Sequence, residues 1–208
     1  MTGRSRPRRP ASLDKYAAEQ LADGFDHGRR AEVAHTSARA LVARGRASDD
    51  PAVHDRLVRL VETEGLDTVA ALWAGSPPAT LPGALWRLYV LREWVRRDPR
   101  TVAERYRLGT QRAHVADAVA GVASPPGPEE VMAVADAVLS GVYTADLAVA
   151  LERAGAFCRV LVTGSALDAD LVDDADLAGR MTRGANGLLR TAEELEDAAR
   201  LWRADRLD

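Results

Sequence analysis

His54 and Asp55 are adjacent in the chain, and His27 and His35 lie upstream of them. A neighbouring imidazole and carboxylate can chelate one divalent ion. A third ligand such as His35 would complete the site and leave a position open for a water nucleophile. The same residues have an ordinary helical role. Asp50 followed by Pro51 is an N-cap with proline at the first helical position, which puts His54 and Asp55 in the first turn. There a carboxylate favours the helix macrodipole and a histidine simply faces water. Glu32 and His35 form one Glu-x-x-His element, whereas a helical di-iron site needs two such elements and two further Glu. The run Asp168 to Asp176 is acidic, but Val172 and the missing glycine break the pattern of a Ca²⁺ loop, leaving an acidic loop or partner surface. Cys158 has apolar neighbours and no nearby His, so it reads as a small buried hydrophobe. No spacing points to a cofactor, and none is expected.

The His35, His54 and Asp55 set resembles the all-helical metal phosphohydrolases that use a His, a His-Asp pair and a distant Asp. The resemblance implies a metal-dependent hydrolase with those three residues as ligands. A second resemblance lies in "TVAERYRLGTQRAHVADAV", within residues 99–119, which is similar to a helix-turn-helix unit. Val102, Ala103, Tyr106 and Leu108 stand where that family has its packing residues. By the resemblance Thr110, Gln111 and Arg112 would enter the major groove of DNA, with Arg100, Arg105 and Arg107 beside them for phosphates. The match departs from the family at Arg107, where a glycine is usual, and Gly109 comes two residues later. Without a ligand the stretch reads as a helix from Pro82, then Asp98-Pro99 opening another, which ends at Leu108-Gly109. Trp94 is then expected in the core. The segment "LPGALWRLYVLREWVRRDP" looks like uncharacterised helical proteins of high-GC actinobacteria, a resemblance that implies no activity.

These residues must be positioned by helices. No segment alternates with a period of two and β-branched enrichment, so the expected class is all-α, a multi-helix bundle of about nine or ten helices. Residues 1–11, with Arg4, Arg6, Arg8 and Arg9, read as a disordered basic tail, and residues 12–208 as one domain. One helix is expected from Ser12 to Gly24 and a second from about Gly28 to Arg44, with Val33, Ser37, Ala40 and Leu41 on its apolar side. A third follows Pro51 to Gly65, and a fourth starts at Asp67. Pro-rich loops fall near 75–83 and 124–129. Asp146 to Val162 is apolar on most sides, as expected of a central helix, and Leu188, Ala192, Leu195, Ala199 and Trp202 make a seam.

Composition limits the function. The chain has 208 residues, of which 47% are apolar and only 5% aromatic, so Ala, Val and Leu must fill the interior. A single cysteine excludes an internal disulfide and fits a reducing, cytoplasmic setting. No apolar run is long enough for a membrane span, so no membrane partner is expected. Lys15 is the only lysine among 28 basic residues, which reflects codon composition more than phosphate recognition, and the net charge of −3 argues against a surface given over to nucleic acid. The charge is nevertheless polarised. Trp86 to His114 holds eight Arg against three acids, and Asp136 to Ala178 holds eight acids against two Arg. The expected function is therefore a non-enzymatic helical protein acting through macromolecular contacts in a regulatory role, with a protein partner. DNA binding through residues 99–119 and metal-dependent phosphohydrolysis are the alternatives. The sequence leaves the oligomeric state open.

Overall fold

The computed structural model describes residues 15–42, 65–112, 125–141, 143–170 and 174–208. The side chains of residues 15–27, 112, 169, 170 and 178 are excepted. Among the described residues there are seven helices and no strand. They are α1 (Lys15–Val42), α2 (Leu66–Ala71), α3 (Leu81–Arg97), α4 (Pro99–Arg112), α5 (Pro128–Leu139), α6 (Leu147–Asp170) and α7 (Ala175–Arg203). None is long and apolar enough to cross a membrane. The all-α class stands, but the count is seven, not nine or ten. The tail 1–11, the Ser12 cap, the Pro51 to Gly65 helix and the chain beyond Arg112 to Val119 lie outside the described residues.

Part of the lower count has a physical cause. The two helices expected around Gly24 and Gly28 are one, since an interior glycine costs a helix only about 1 kcal/mol and no proline forces a break. Likewise α4 continues through the expected stop at Leu108-Gly109. Gly109 has no positive φ and is buried in the contact with α6, where a Cβ would overlap the Val160 carbonyl oxygen. Gly164 makes the reciprocal approach from α6, and a Cβ there would overlap the Arg105 carbonyl oxygen. Both glycines serve close approach of two backbones, and neither ends its helix.

Polar caps set where helices begin. The Thr80 side chain accepts from the Gly83 amide, 3.2 Å, and Pro82 occupies the first turn of α3. Asp98 does the same for Thr101 at the start of α4, 3.3 Å. Asp146 accepts from the Ala148 amide at the start of α6 and also from the Trp202 indole, each at 3.1 Å. Asp174 accepts from the Asp176 and Leu177 amides and opens α7, which begins well before the Leu188 seam.

α6 and α7 form the most extensive helix pair, followed by α4 on α6, while α3 touches α1, α5 and α7. Phe157, Leu151 and Leu161 of α6 and Ala192, Leu195 and Ala199 of α7 are fully buried, as the apolar pattern of both segments predicts. Near the end of the chain Leu207 is buried, and the Asp208 carbonyl accepts from the Leu81 amide, 2.6 Å, at the first turn of α3.

On α1 the buried residues are Ala34, Ser37, Ala38 and Leu41, while Val33 is exposed, so the inward face is rotated from the expected one. The largest buried side chain is Trp73, whose indole donates to the Ser37 hydroxyl at 3.0 Å; that hydroxyl donates in turn to the Ala34 carbonyl, 3.0 Å. A buried indole N–H is costly unless paired, which explains a serine within the core. Trp94, expected in the core, is only partly buried.

Two outcomes follow for equilibrium unfolding in denaturant. Trp73→Ala is expected to lose about 3 to 5 kcal/mol, and Trp94→Ala clearly less, because one leaves an enclosed cavity and the other an open wall. Gly164→Ala is expected to destabilise by about 1 to 3 kcal/mol, since the methyl group drives α6 away from the Arg105 backbone. An equal loss for the two tryptophans, or a neutral Gly164→Ala, would contradict this packing.

Candidate functional site

His54 and Asp55 lie outside the described residues. His35 is on α1, with Nδ1 donating to the Ala31 carbonyl one turn back, 2.8 Å. Among the described residues no three His, Cys, Asp or Glu side chains are grouped to hold a metal ion.

The six residues of the nucleic-acid reading, Arg100, Arg105, Arg107, Thr110, Gln111 and Arg112, all belong to the single helix α4. Thr110, Gln111 and Arg112 continue α4 rather than start a second helix, because the turn the motif needs at Gly109 is absent. Arg100, Glu104, Arg107 and Gln111 follow one exposed stripe. Arg107 grips Glu104 through Nε at 3.1 Å and Nη2 at 2.6 Å, which holds the Glu104 carboxyl below its ordinary pKa. Arg105 points the other way, towards Asp168 of α6 at 3.6 Å, and most of its side chain is covered. Thr110 donates to the Arg107 carbonyl, 3.0 Å. The structure thus divides Arg100, Arg105 and Arg107 between an internal ion pair and a stripe partly neutralised by Glu104.

Sequence reasoning missed a different surface, on α3. Leu81, Leu85, Leu88, Leu91 and Val95 are buried, while Trp86, Val90 and Trp94, four residues apart, line the other side. Val90 is 44% exposed. With Leu188 and Thr191 of α7 they bound an open groove of about 310 Å³. One end is fixed by Arg87, which donates from Nε to Glu194 at 2.5 Å and from Nη1 to the Gly83 carbonyl at 2.8 Å. Trp86 stacks on Tyr89 with ring centroids 5.5 Å apart, and the Tyr89 hydroxyl donates to Asp67 of α2 at 2.9 Å. Burial and then Asp67 raise the Tyr89 pKa. The Trp-Val-Trp spacing was visible in the sequence. The leucine stripe beside it is equally apolar, so the pattern alone does not say which of the two is covered.

A second recess, of about 880 Å³, lies among the end of α3, the start of α4 and the start of α5, with Val95, Ala103, Tyr106 and Met132 in its lining. Two of its three acids already have structural work. Glu130 accepts from the Gly127 amide at the start of α5, 3.0 Å, and Asp136 is bonded to Arg92. The Tyr106 hydroxyl donates to the Pro125 carbonyl at its edge, 2.8 Å, where residues 113–124 join. Those residues are outside the described set, so nothing shows what covers the recess.

Comparison with protein-family models, curated proteins and solved structures finds no match to this chain.

Buried Glu93 neighbours Arg92 at 2.5 Å, Arg96 at 3.5 Å and Arg97 at 3.9 Å, a paired charge that needs no ligand to account for it. Cys158 is fully buried, and burial pushes its thiol up to about 12, with Glu196 adding to the rise. In the unfolded chain such a thiol ionises near about pH 8.5. A folded value above the unfolded one stabilises fully below the unfolded pKa and is lost as pH rises through the folded value. The native protein is therefore expected to resist a thiol reagent at pH 8 and to react only as it unfolds. Stability should fall above about pH 9, with a smaller slope in Cys158→Val. Rapid labelling of the folded protein would show that α6 is not packed as described.

Proposed function

We propose that this protein is a non-enzymatic helical module that acts by binding another protein in the α3–α7 groove. The observation that supports it is the Trp86, Val90 and Trp94 face: two partly buried tryptophans flank an exposed valine beside Leu188, on helices already fixed by the core beneath. Tryptophan contributes a large apolar area with few rotatable bonds, which makes it a frequent anchor of protein interfaces. Walls built on packed helices lose little entropy on binding.

The helix-turn-helix alternative has less support, because α4 is continuous through Gly109 and Glu104 sits between Arg100 and Arg107. The phosphohydrolase alternative rests on His54 and Asp55, for which the described residues supply only His35.

Selection of binders from a displayed library of helical peptides tests the proposal. The selected peptides are expected to shift tryptophan fluorescence and to lose at least ten-fold in affinity towards Val90→Glu and Trp94→Ala. Binding to Ala133→Glu, which alters the other recess, should be unchanged. Peptides indifferent to Val90 and Trp94, with all variants folded by circular dichroism, would remove the groove from consideration.

A further inference from the structure

The groove has two unlike ends, and this difference carries information about its occupant. Arg87 pairs with Glu194 at one end, and the lining continues through Trp94 on α3 and Leu188 on α7. At the Arg87 end the charges cancel. Beyond Trp94 they do not. Arg97 lies three residues further along α3, on the stripe that contains Trp86, Val90 and Trp94, and it is 77% exposed with only a 3.9 Å approach to Glu93. That carboxylate is already engaged by Arg92 at 2.5 Å.

On α7 the stripe that includes Glu194 contains Arg190, Gly187, Arg183 and Arg180 at helical spacing, all exposed. Asp176, in the first turn, is the sole acid of that stripe before Glu194. The apolar floor therefore opens between basic residues on both helices, although the whole chain carries a net charge of −3.

We infer that the groove's occupant is an acidic amphipathic helix of a partner protein. It would place its apolar residues at i, i+4 and i+7 against Trp86, Val90 and Trp94, and its Asp or Glu side chains beside Arg97, Arg190 and Arg183. This inference rests on the groove reading above and adds the partner's chemistry. Rim charges of this kind govern encounter rate and discrimination more than total affinity, so the expected signature is selectivity between peptides of opposite charge. The exposed guanidinium groups favour carboxylates, which they can engage in pairs of hydrogen bonds.

Three synthetic helical peptides with one apolar face and Glu, Gln or Lys on its flanks test this. Each would be titrated against the full chain by fluorescence anisotropy at 50 and 300 mM salt. The Glu peptide should bind at least ten-fold tighter than the Lys peptide, and the difference should shrink at high salt. Arg97→Glu/Arg190→Glu should reverse the order, while Val90→Glu should weaken all three. Equal binding of the three peptides would overturn the acidic preference and leave the groove as a docking site. Binding that ignores Val90→Glu would remove the groove as well. If no peptide binds and the chain self-associates in sedimentation through Val90 and Trp94, the occupant is a second copy and the inference fails. If no peptide binds and the chain stays monomeric, it also fails. Tight binding of a DNA duplex lost in Arg97→Glu/Arg190→Glu would overturn it in favour of nucleic acid.

Discussion

The backbones of α4 and α6 meet at two glycines, Gly109 on Val160 and Gly164 on Arg105, and much of the architecture depends on that approach. Any larger residue at either point would overlap a carbonyl oxygen. The approach accompanies an α4 that stays helical through Gly109, sets Arg105 against Asp168, and lets Tyr106 stack on Phe157 of α6 at 5.8 Å between centroids. It also fills α6 from both sides, since α7 packs on it as well. A chain short of aromatic residues gains its tight packing from contacts of this kind, with dispersion summed over many small groups in place of a few large ones.

The proposed groove uses what that packing leaves over. With α4 and α7 both packed on α6, one apolar strip that stays open among the described residues lies where α3 meets α7. The leucines of α3 are consumed by the core, and Trp86, Val90 and Trp94 are not. Ion pairs fix the groove's geometry without filling it. Arg87 with Glu194 ties α3 to α7, and Arg159 with Glu196, bidentate at 2.6 Å, ties α6 to α7. Such pairs add little stability at a wet surface but define how two helices lie.

The charge segregation visible along the chain has a similar division. Many of the Arg between Trp86 and His114 are used internally: Arg87, Arg92, Arg105 and Arg107 all pair with acids from α3, α4, α5, α6 or α7. The acidic half supplies partners to the basic half, as Asp136 does for Arg92 and Asp168 for Arg105. Among the described residues, Arg97, Arg183 and Arg190 leave a small basic margin next to the apolar groove.

The helical class and most helix starts can be read from local pattern, because caps and proline act within one turn. Asp98 before Pro99, Asp146 before Leu147 and Pro82 in a first turn can be read without knowing any neighbour. The burial of Cys158 can be read in the same way, since Ala154, Leu161 and Val162, one turn away on its helix, are apolar. The rest depends on contacts between distant parts of the chain. Whether Gly109 ends a helix depends on whether another backbone needs its missing side chain, and Val160 is 51 residues away. Whether Trp94 is core or rim depends on which face of α3 the other helices cover, and Trp73 became core because Ser37 offers its indole a hydrogen-bond partner. Local pattern fixes which residues share a face; the choice between two apolar faces is made by the elements that arrive to cover them.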